Sequence, residues 1–316
     1  MAITTAKINA VLRGITQSFD NGVRTGSPLY PQICTIVPSN SRDEKYGWIG
    51  DVPDMKEFLG ERTFDQLRAF DYEIANRSFE QSLGVDRYDI EDDRYSHYSN
   101  IAEGLGRKAV RHPDELMVSL LLTGETATCY DGQFFYDTDH LAGDSGSQSN
   151  KTTFNATDHT NVTVAEFKAA FHKCLRLMMQ FKTDKGSYFM PRAITADLLS
   201  DLHLLVPLSL WEVASQAMQQ MIVAQGGVAV DNVLLAKAQV HPILGLGAEG
   251  GGSDAKFQLL YTGGTVKPFI FQQRKSLIRQ VKGLTDIEDK MVKFMTEVRY
   301  NVGFGLWQHA MLCEFN

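Results

Sequence analysis

Ile8, Val11, Leu12, Ile15 and Phe19 recur at steps of three and four, which predicts an amphipathic helix over residues 6 to 20, ended by Asp-Asn-Gly. A helix of this kind needs a partner surface. Prolines 28, 31 and 38 follow in GSPLYPQICTIVPSNSRDE and predict an extended segment with no helix. Between residues 45 and 87 the period falls to two: KYGWIG and AFDYEIANRSFEQSLGVDR alternate as strands do, around the charged, turn-rich DVPDMKEFLGERTFDQLR. A long two-stranded excursion cannot bury both faces alone, so it has to pack on a neighbour within the chain or from another chain.

From about residue 94 to 123 the helical period returns, with Pro113 leaving either a kink or a restart open. Residues 141 to 161, rich in Gly, Ser, Thr and Asn, read as a mobile connection. Thr163 and Glu166 form a capping-box pattern ahead of a helix. SYFMPRAITADLLSDLHLLV reads as a strand, a turn and a short helix; LSLWEVASQAMQQMIVA reads as a helix. VDNVLLAKAQV, KFQLLYT and KPFIFQQ read as strands, and the Val-, Phe- and Tyr-rich segments from Arg274 to Asn316 as longer ones. No internal repeat or low-complexity tract is evident. Helix, arm, hairpin, long helix and long strands together describe a chain made to assemble.

Composition narrows this picture. With 43% apolar residues among 316, the chain can bury a large core. Its net charge of −7, from 31 basic and 38 acidic residues without a block of either sign, gives no electrostatic reason to grip nucleic acid over a broad surface. Cys34, Cys129, Cys174 and Cys313 stand singly without ligand spacing, as buried free thiols in a reducing compartment do. No apolar run is long enough for a bilayer and the N-terminus lacks a signal-peptide core, so synthesis in the cytosol is expected.

The chemically suggestive stretch is YDGQFFYDTDH, residues 130 to 140. Asp137, Asp139 and His140, with Asp131 upstream, could supply part of a metal shell, completed by a distant His112, His159 or His241. Asp and Thr also bond nearby backbone in turns, and that reading is favoured. GLGAEG, residues 245 to 250, matches G-x-G-x-x-G but is followed by more glycine and a strand, so it reads as a flexible surface loop. HPDEL at 112 to 116 lacks a second zinc-binding His, and His172 and Cys174 face apart on one helix. RYDIEDDR at 87 to 94 reads as a solvated helix start or salt-bridged interface before a cation site, and RYNVGFGLW at 299 to 307 as a twisted strand closely approached by backbone or another strand.

KYGWIGDVPDMKEFLGER, YEIANRSFEQSLGVDRYDIEDD, HPDEL and CYDGQFFYDTDH, in that order, resemble the major head subunit of Mu-like phages and prophages over nearly the whole chain. The resemblance implies an α+β chain with the Hong Kong 97 capsid fold. It implies an N-terminal helix and arm over 1–44, an E-loop hairpin over 45–87, a peripheral domain over 88–149 and 274–304 with a long spine helix, and an axial domain over 150–273 and 305–316. It implies a structural protein, not an enzyme, that self-assembles as pentamers and hexamers into an icosahedral shell around the phage genome. No catalytic, cofactor-binding or metal residue is expected, and no cofactor. Trp48, Phe58, Leu59 and Phe64 become candidates for intersubunit contact. Expected partners are a scaffold, a portal and a maturation protease, with packaged DNA held without specific binding and no membrane; the expected location is the virion, assembled in the host cytoplasm. The alternatives are a soluble metal-dependent enzyme using Asp137, Asp139 and His140, or an encapsulin-like shell protein.

Overall fold

The computed structural model describes residues 4–49, 69–92, 94, 96–141, 143–191, 196–219, 222–225, 228–231, 238–283 and 290–316. Phe58, Leu59 and Phe64 lie outside the described residues, and only the backbone of Trp48 is described. Helix α1 (Thr5–Thr25) starts where the Thr4 hydroxyl accepts the Lys7 N–H at 3.2 Å, and its predicted apolar stripe from Ile8 to Phe19 is buried. The proline-rich segment contains a one-turn helix, α2 (Tyr30–Ile33), before strand β1 (Cys34–Pro38). Pro31 opens that turn, where its missing N–H has no helical acceptor to lose.

Strands β2 (Asp43–Ile49) and β3 (Ala69–Ala75) pair antiparallel from Asp43↔Ala75 to Ile49↔Ala69. Strand β4 (Arg77–Asp86) leaves that hairpin and joins another sheet. After the short α3 (Arg87–Glu91), capped by Asp86, helix α4 (Ser96–Leu122) continues for 27 residues with Pro113 inside it and no restart. The acid following that proline serves α2: the Asp114 carboxylate accepts the N–H groups of Leu29 and Tyr30 at 2.8 to 3.0 Å.

The stretch expected to be a mobile connection is pinned. It carries β5 (His140–Leu141) and β6 (Ser147–Gln148), paired as a small hairpin, then β7 (Lys151–Phe154). The Thr163–Glu166 capping box forms in full and starts α5 (Val164–Met178). SYFM is the returning limb of a tight turn, and the expected order is reversed: α6 (Ala196–Ser200) precedes the strand β8 (Leu202–Val206), buried at every position. Then come α7 (Leu208–Gln219), the pair β9 (Ile222–Gln225) and β10 (Val228–Asp231), and β11 (Gln239–Pro242). The chain ends with β12 (Lys256–Tyr261), β13 (Phe269–Lys282), β14 (Met291–Phe304) and β15 (Ala310–Phe315).

Two larger sheets organise these strands. One has the order β1-β13-β14-β4 and is backed by α1 and α4; the other has the order β11-β8-β12-β15-β7 and is backed by α5 and α7. A single apolar cluster joins them, with Phe135 stacked on Phe304 at 4.5 Å and tilted against Phe269 at 5.3 Å. A second, smaller cluster holds α1 against α4 and β14, where Phe19 meets Phe294 at 5.2 Å.

Candidate functional site

The suggestive stretch places its groups in two different settings. His140, wholly buried, bonds Asp131 Oδ2 through Nδ1 at 2.7 Å, and its ring stacks on Trp307 at 4.1 Å and 8°. The Cys129 thiol donates to Asp131 Oδ1 at 3.0 Å, and the Gln133 N–H to the same oxygen at 3.1 Å. Asp137 and Asp139 take no part in this chain. Asp137 accepts the Thr138 and Phe134 N–H groups at 2.7 and 3.3 Å, and Asp139 is exposed. Asp137 thus has a turn role, and Asp137, Asp139 and His140 are not gathered into the geometry the metal reading needs.

Cys129, Asp131 and His140 do present three potential ligand atoms within 4.8 Å of one another. Their contacts of 2.7 and 3.0 Å are hydrogen-bond lengths, shorter than the edges of about 3.3 Å or more that a tetrahedral site with metal bonds of about 2.0–2.3 Å imposes. Burial, reinforced by Asp131, pushes the Cys129 thiol above its ordinary range, and the bond to His140 holds Asp131 low against its own burial. A thiol kept protonated is neither nucleophile nor ligand. The cluster is therefore a buried hydrogen-bond chain that fixes the turn to the core.

Asn150 completes the anchor, and sequence reasoning missed it. Its amide Nδ2 donates to Phe135 O at 2.7 Å, its Oδ1 accepts the Asp137 N–H at 2.9 Å, and its carbonyl accepts the Leu312 N–H at 2.8 Å. Its burial is complete, so the three bonds replace water that cannot reach it.

The turn anchored this way has a counterpart. Thr128 bridges Phe134, and 54 residues later Lys182 bridges Tyr188. In the first turn Cys129 N donates to Gln133 O, Gly132 N to Cys129 O and Phe135 N to Ala127 O, at 2.8, 3.1 and 3.2 Å. In the second Thr183 N donates to Ser187 O, Gly186 N to Thr183 O and Phe189 N to Phe181 O, at 2.7, 3.0 and 2.8 Å. Gly132 and Gly186, at φ 87° and 80°, occupy the same left-handed position. Each turn follows the end of a helix, α4 or α5, and each exposes one aromatic, Phe134 at 43% and Tyr188 at 48%. Only the glycine and the aromatics recur in sequence, which is why no repeat was legible.

The remaining candidates are structural too. GLGAEG forms two 3₁₀ turns packed on the last turns of α4, where a Cβ on Gly245 would strike Val118 and one on Gly252 would strike the Leu246 carbonyl. Among the histidines offered to the metal, His112 bonds the Tyr300 hydroxyl at 2.7 Å, His159 is exposed, and His241 bonds His203 at 2.8 Å. His172 is exposed while Cys174 is buried against Cys313. The acidic run begins α3, which Asp86 just before it caps; within it Glu91 pairs with Arg87 at 3.1 Å and Asp89 accepts the Tyr98 hydroxyl at 2.7 Å. Gly303 lies under Ile74 and Gly305 against the Lys267 carbonyl, the close approach expected of that strand.

A family model described as the Mu-like prophage major head subunit gpT matches residues 8–167 and 246–314, well over half of the chain. The chain belongs to this family. It is 41% identical over 140 residues to the major capsid protein of Escherichia phage Mu, a match covering 44% of this chain and 46% of that protein. It is 36% identical over 165 residues to the Mu-like prophage FluMu major head subunit of Haemophilus influenzae, covering 52% of this chain and 54% of that one. The chain thus spans about half the length of these curated relatives. In structure it resembles a chain of the procapsid of bacteriophage JBD30, with a TM-score of 0.57 at 26% identity over 99% of this chain and 76% of that one. Its fold is the Hong Kong 97 capsid fold.

Proposed function

We propose that this chain is the major shell subunit of a Mu-like phage head and works by assembling with copies of itself, without catalysis. The observation that carries this reading is the structural match to a procapsid chain along 99% of this chain's length, made by a family member whose Asp131, Asp137 and His140 are spent on internal bonds. In this reading residues 1–44 are the arm, 45–87 the E-loop, 88–149 with 274–304 the peripheral domain, and 150–273 with 305–316 the axial domain. Strand β13 crosses the proposed 273/274 limit, where its register against β14 shifts between Gln273 and Lys275. Trp48, Phe58, Leu59 and Phe64 are the proposed contacts between neighbours.

Pentamers and hexamers closing into an icosahedral shell, with a scaffold, a portal and a maturation protease acting during assembly, complete the proposal. The shell becomes part of the virion and encloses DNA without specific binding, consistent with a net charge of −7. No described helix is long and apolar enough to cross a membrane. Electron microscopy of the purified protein tests the reading: closed shells, tubes or capsomer rings are expected. A protein that stays monomeric at every concentration and salt, alone and with its scaffold, overturns it.

A further inference from the structure

The two matching turns differ in charge. Residues 128 to 139 contain Asp131, Asp137 and Asp139 and no basic residue; with Asp131 buried, the surface of this turn is acidic. Residues 182 to 190 contain Lys182 and Lys185, both exposed, and one half-buried acid, Asp184. Directly bridged residues share a face of a ribbon, so Lys182 stands beside Tyr188 and Thr128 beside Phe134, and all four are exposed.

The turns also lie side by side. His140, bonded to Asp131 in the first turn, begins β5. Gln148 at the end of β6 bonds Lys182 in the second turn twice, Oε1 to the backbone N–H at 2.6 Å and Nε2 to the carbonyl at 3.1 Å. Asp144 N adds a bond to Asp184 O at 2.8 Å. The β5–β6 hairpin therefore bridges an acidic turn and a basic turn of the same shape, and carries Leu141 at 61% exposure between them.

We propose that this pair of turns is a self-complementary contact surface, occupied by the same pair on a second copy of the chain. An acidic patch beside a basic one meets its own image across a two-fold axis with each sign opposite the other, so one contact is made twice. The exposed aromatics supply the apolar centre and the charges its rim, the usual anatomy of an interface between proteins. The acidic turn needs no Cys–Asp–His chain to fold, because its counterpart reaches the same geometry with Thr183 and Lys185 in place of Cys129 and Asp131. That chain instead stiffens the turn, which lowers the entropy lost on docking.

The inference rests on the shell reading, and charge exchange separates the two. In wild-type protein that assembles, Asp139→Lys and Lys182→Glu each place like charges opposite one another, and each should raise the concentration needed for assembly about tenfold or more. The double exchange within one chain should restore assembly. So should a mixture of the two single variants, because every altered turn can then face a complementary one. Circular dichroism and the urea midpoint of the unassembled variants should match wild type, as both side chains are exposed. Single variants that assemble like wild type, or a double variant as defective as the singles, overturn the contact while leaving the shell function standing; a wild-type chain that never assembles overturns both.

Discussion

Gly22 of α1 and Gly106 of α4 mark the point where the two helices touch backbone to backbone. A Cβ on Gly22 would overlap the Glu103 carbonyl, and one on Gly106 would overlap the Phe19 carbonyl. The crossing brings the amphipathic helix near enough for Phe19 to be buried against Phe294.

Two opposed effects meet in Gly106→Ala. Alanine favours the helix by about 1 kcal/mol, while forcing the helices apart costs about 1–3 kcal/mol or more because neither carbonyl can move away. Gly104, one turn-face away with nothing within 4 Å of its Cβ position, feels the first effect alone. Urea titration should therefore show Gly104→Ala stabilised and Gly106→Ala destabilised. Equal midpoints for the two variants would contradict the close crossing.

The buried chain from Cys129 through Asp131 to His140 makes a second prediction. Asp131→Asn keeps the shape but leaves a buried donor without its acceptor, so a loss of about 1–3 kcal/mol is expected. Asp139→Asn, at an exposed position, should stay within about 0.5 kcal/mol. Elemental analysis of protein purified without added metal should find no stoichiometric transition metal. An ion at one per chain that disappears in Asp131→Asn would turn the hydrogen-bond chain into a ligand set.

Periodicity made α1 and α4 legible, and the capping box located α5, because those signals lie within a few residues of one another. The anchor around His140 was half legible. The proximity of Asp137, Asp139 and His140 in sequence drew attention to the right place, yet the true partner, Asp131, is reached only when the glycine turn folds the chain back. Asn150 gave no signal, since its side chain bonds the backbone at Phe135 and Asp137, well over a turn away in sequence, and leaves no local pattern. The glycines of 245–252 were read as freedom; the structure uses them for proximity to Val118 and Leu246, a distinction that composition does not carry.

Histidines in the five-stranded region set a pH dependence. Burial, then the nearby His241 and Lys267, brings His203 down to about 4, and burial brings His309 to about 4 despite its bond to the Val266 carbonyl. Burial lowers His241 as well, and His112 beside Tyr300 moves the same way. An unfolded histidine titrates near about 6.5, so between there and about 4 the unfolded chain binds more protons than the folded one. Their contribution to stability is whole above about pH 6.5 and is lost as pH falls toward 4. Hydrogen exchange at pH 5 should open β8 and β11 before the α1–α4–β14 cluster. In His203→Gln combined with His309→Gln, the difference in urea midpoint between pH 7 and pH 5 should shrink; an unchanged difference would assign acid sensitivity to other groups.

The hairpin makes the last prediction. Its base is tied to the four-stranded sheet: the Tyr46 hydroxyl donates to Gln272 Oε1 at 2.7 Å, Gln272 Nε2 to Ile74 O at 3.0 Å, Asn301 Nδ2 to Ala75 O at 2.7 Å, and the Phe304 N–H to the Tyr72 hydroxyl at 3.0 Å. Ile74, buried against Gly303, adds an apolar anchor. None of these bonds involves residues 52 to 66, where Phe58, Leu59 and Phe64 lie. Deleting 52 to 66 leaves Gly50, Asp51, Leu67 and Arg68 between Ile49 and Ala69, and a four-residue loop is a common closure for an antiparallel pair. The shortened protein should therefore unfold at the wild-type urea midpoint. Assembly should fail, because three large apolar side chains, each contributing about 1.5–3 kcal/mol when fully buried, are no longer available to a neighbour. Shells of normal yield from the shortened chain would show that these residues do not join subunits. A collapsed urea midpoint would place them in the protomer's own core.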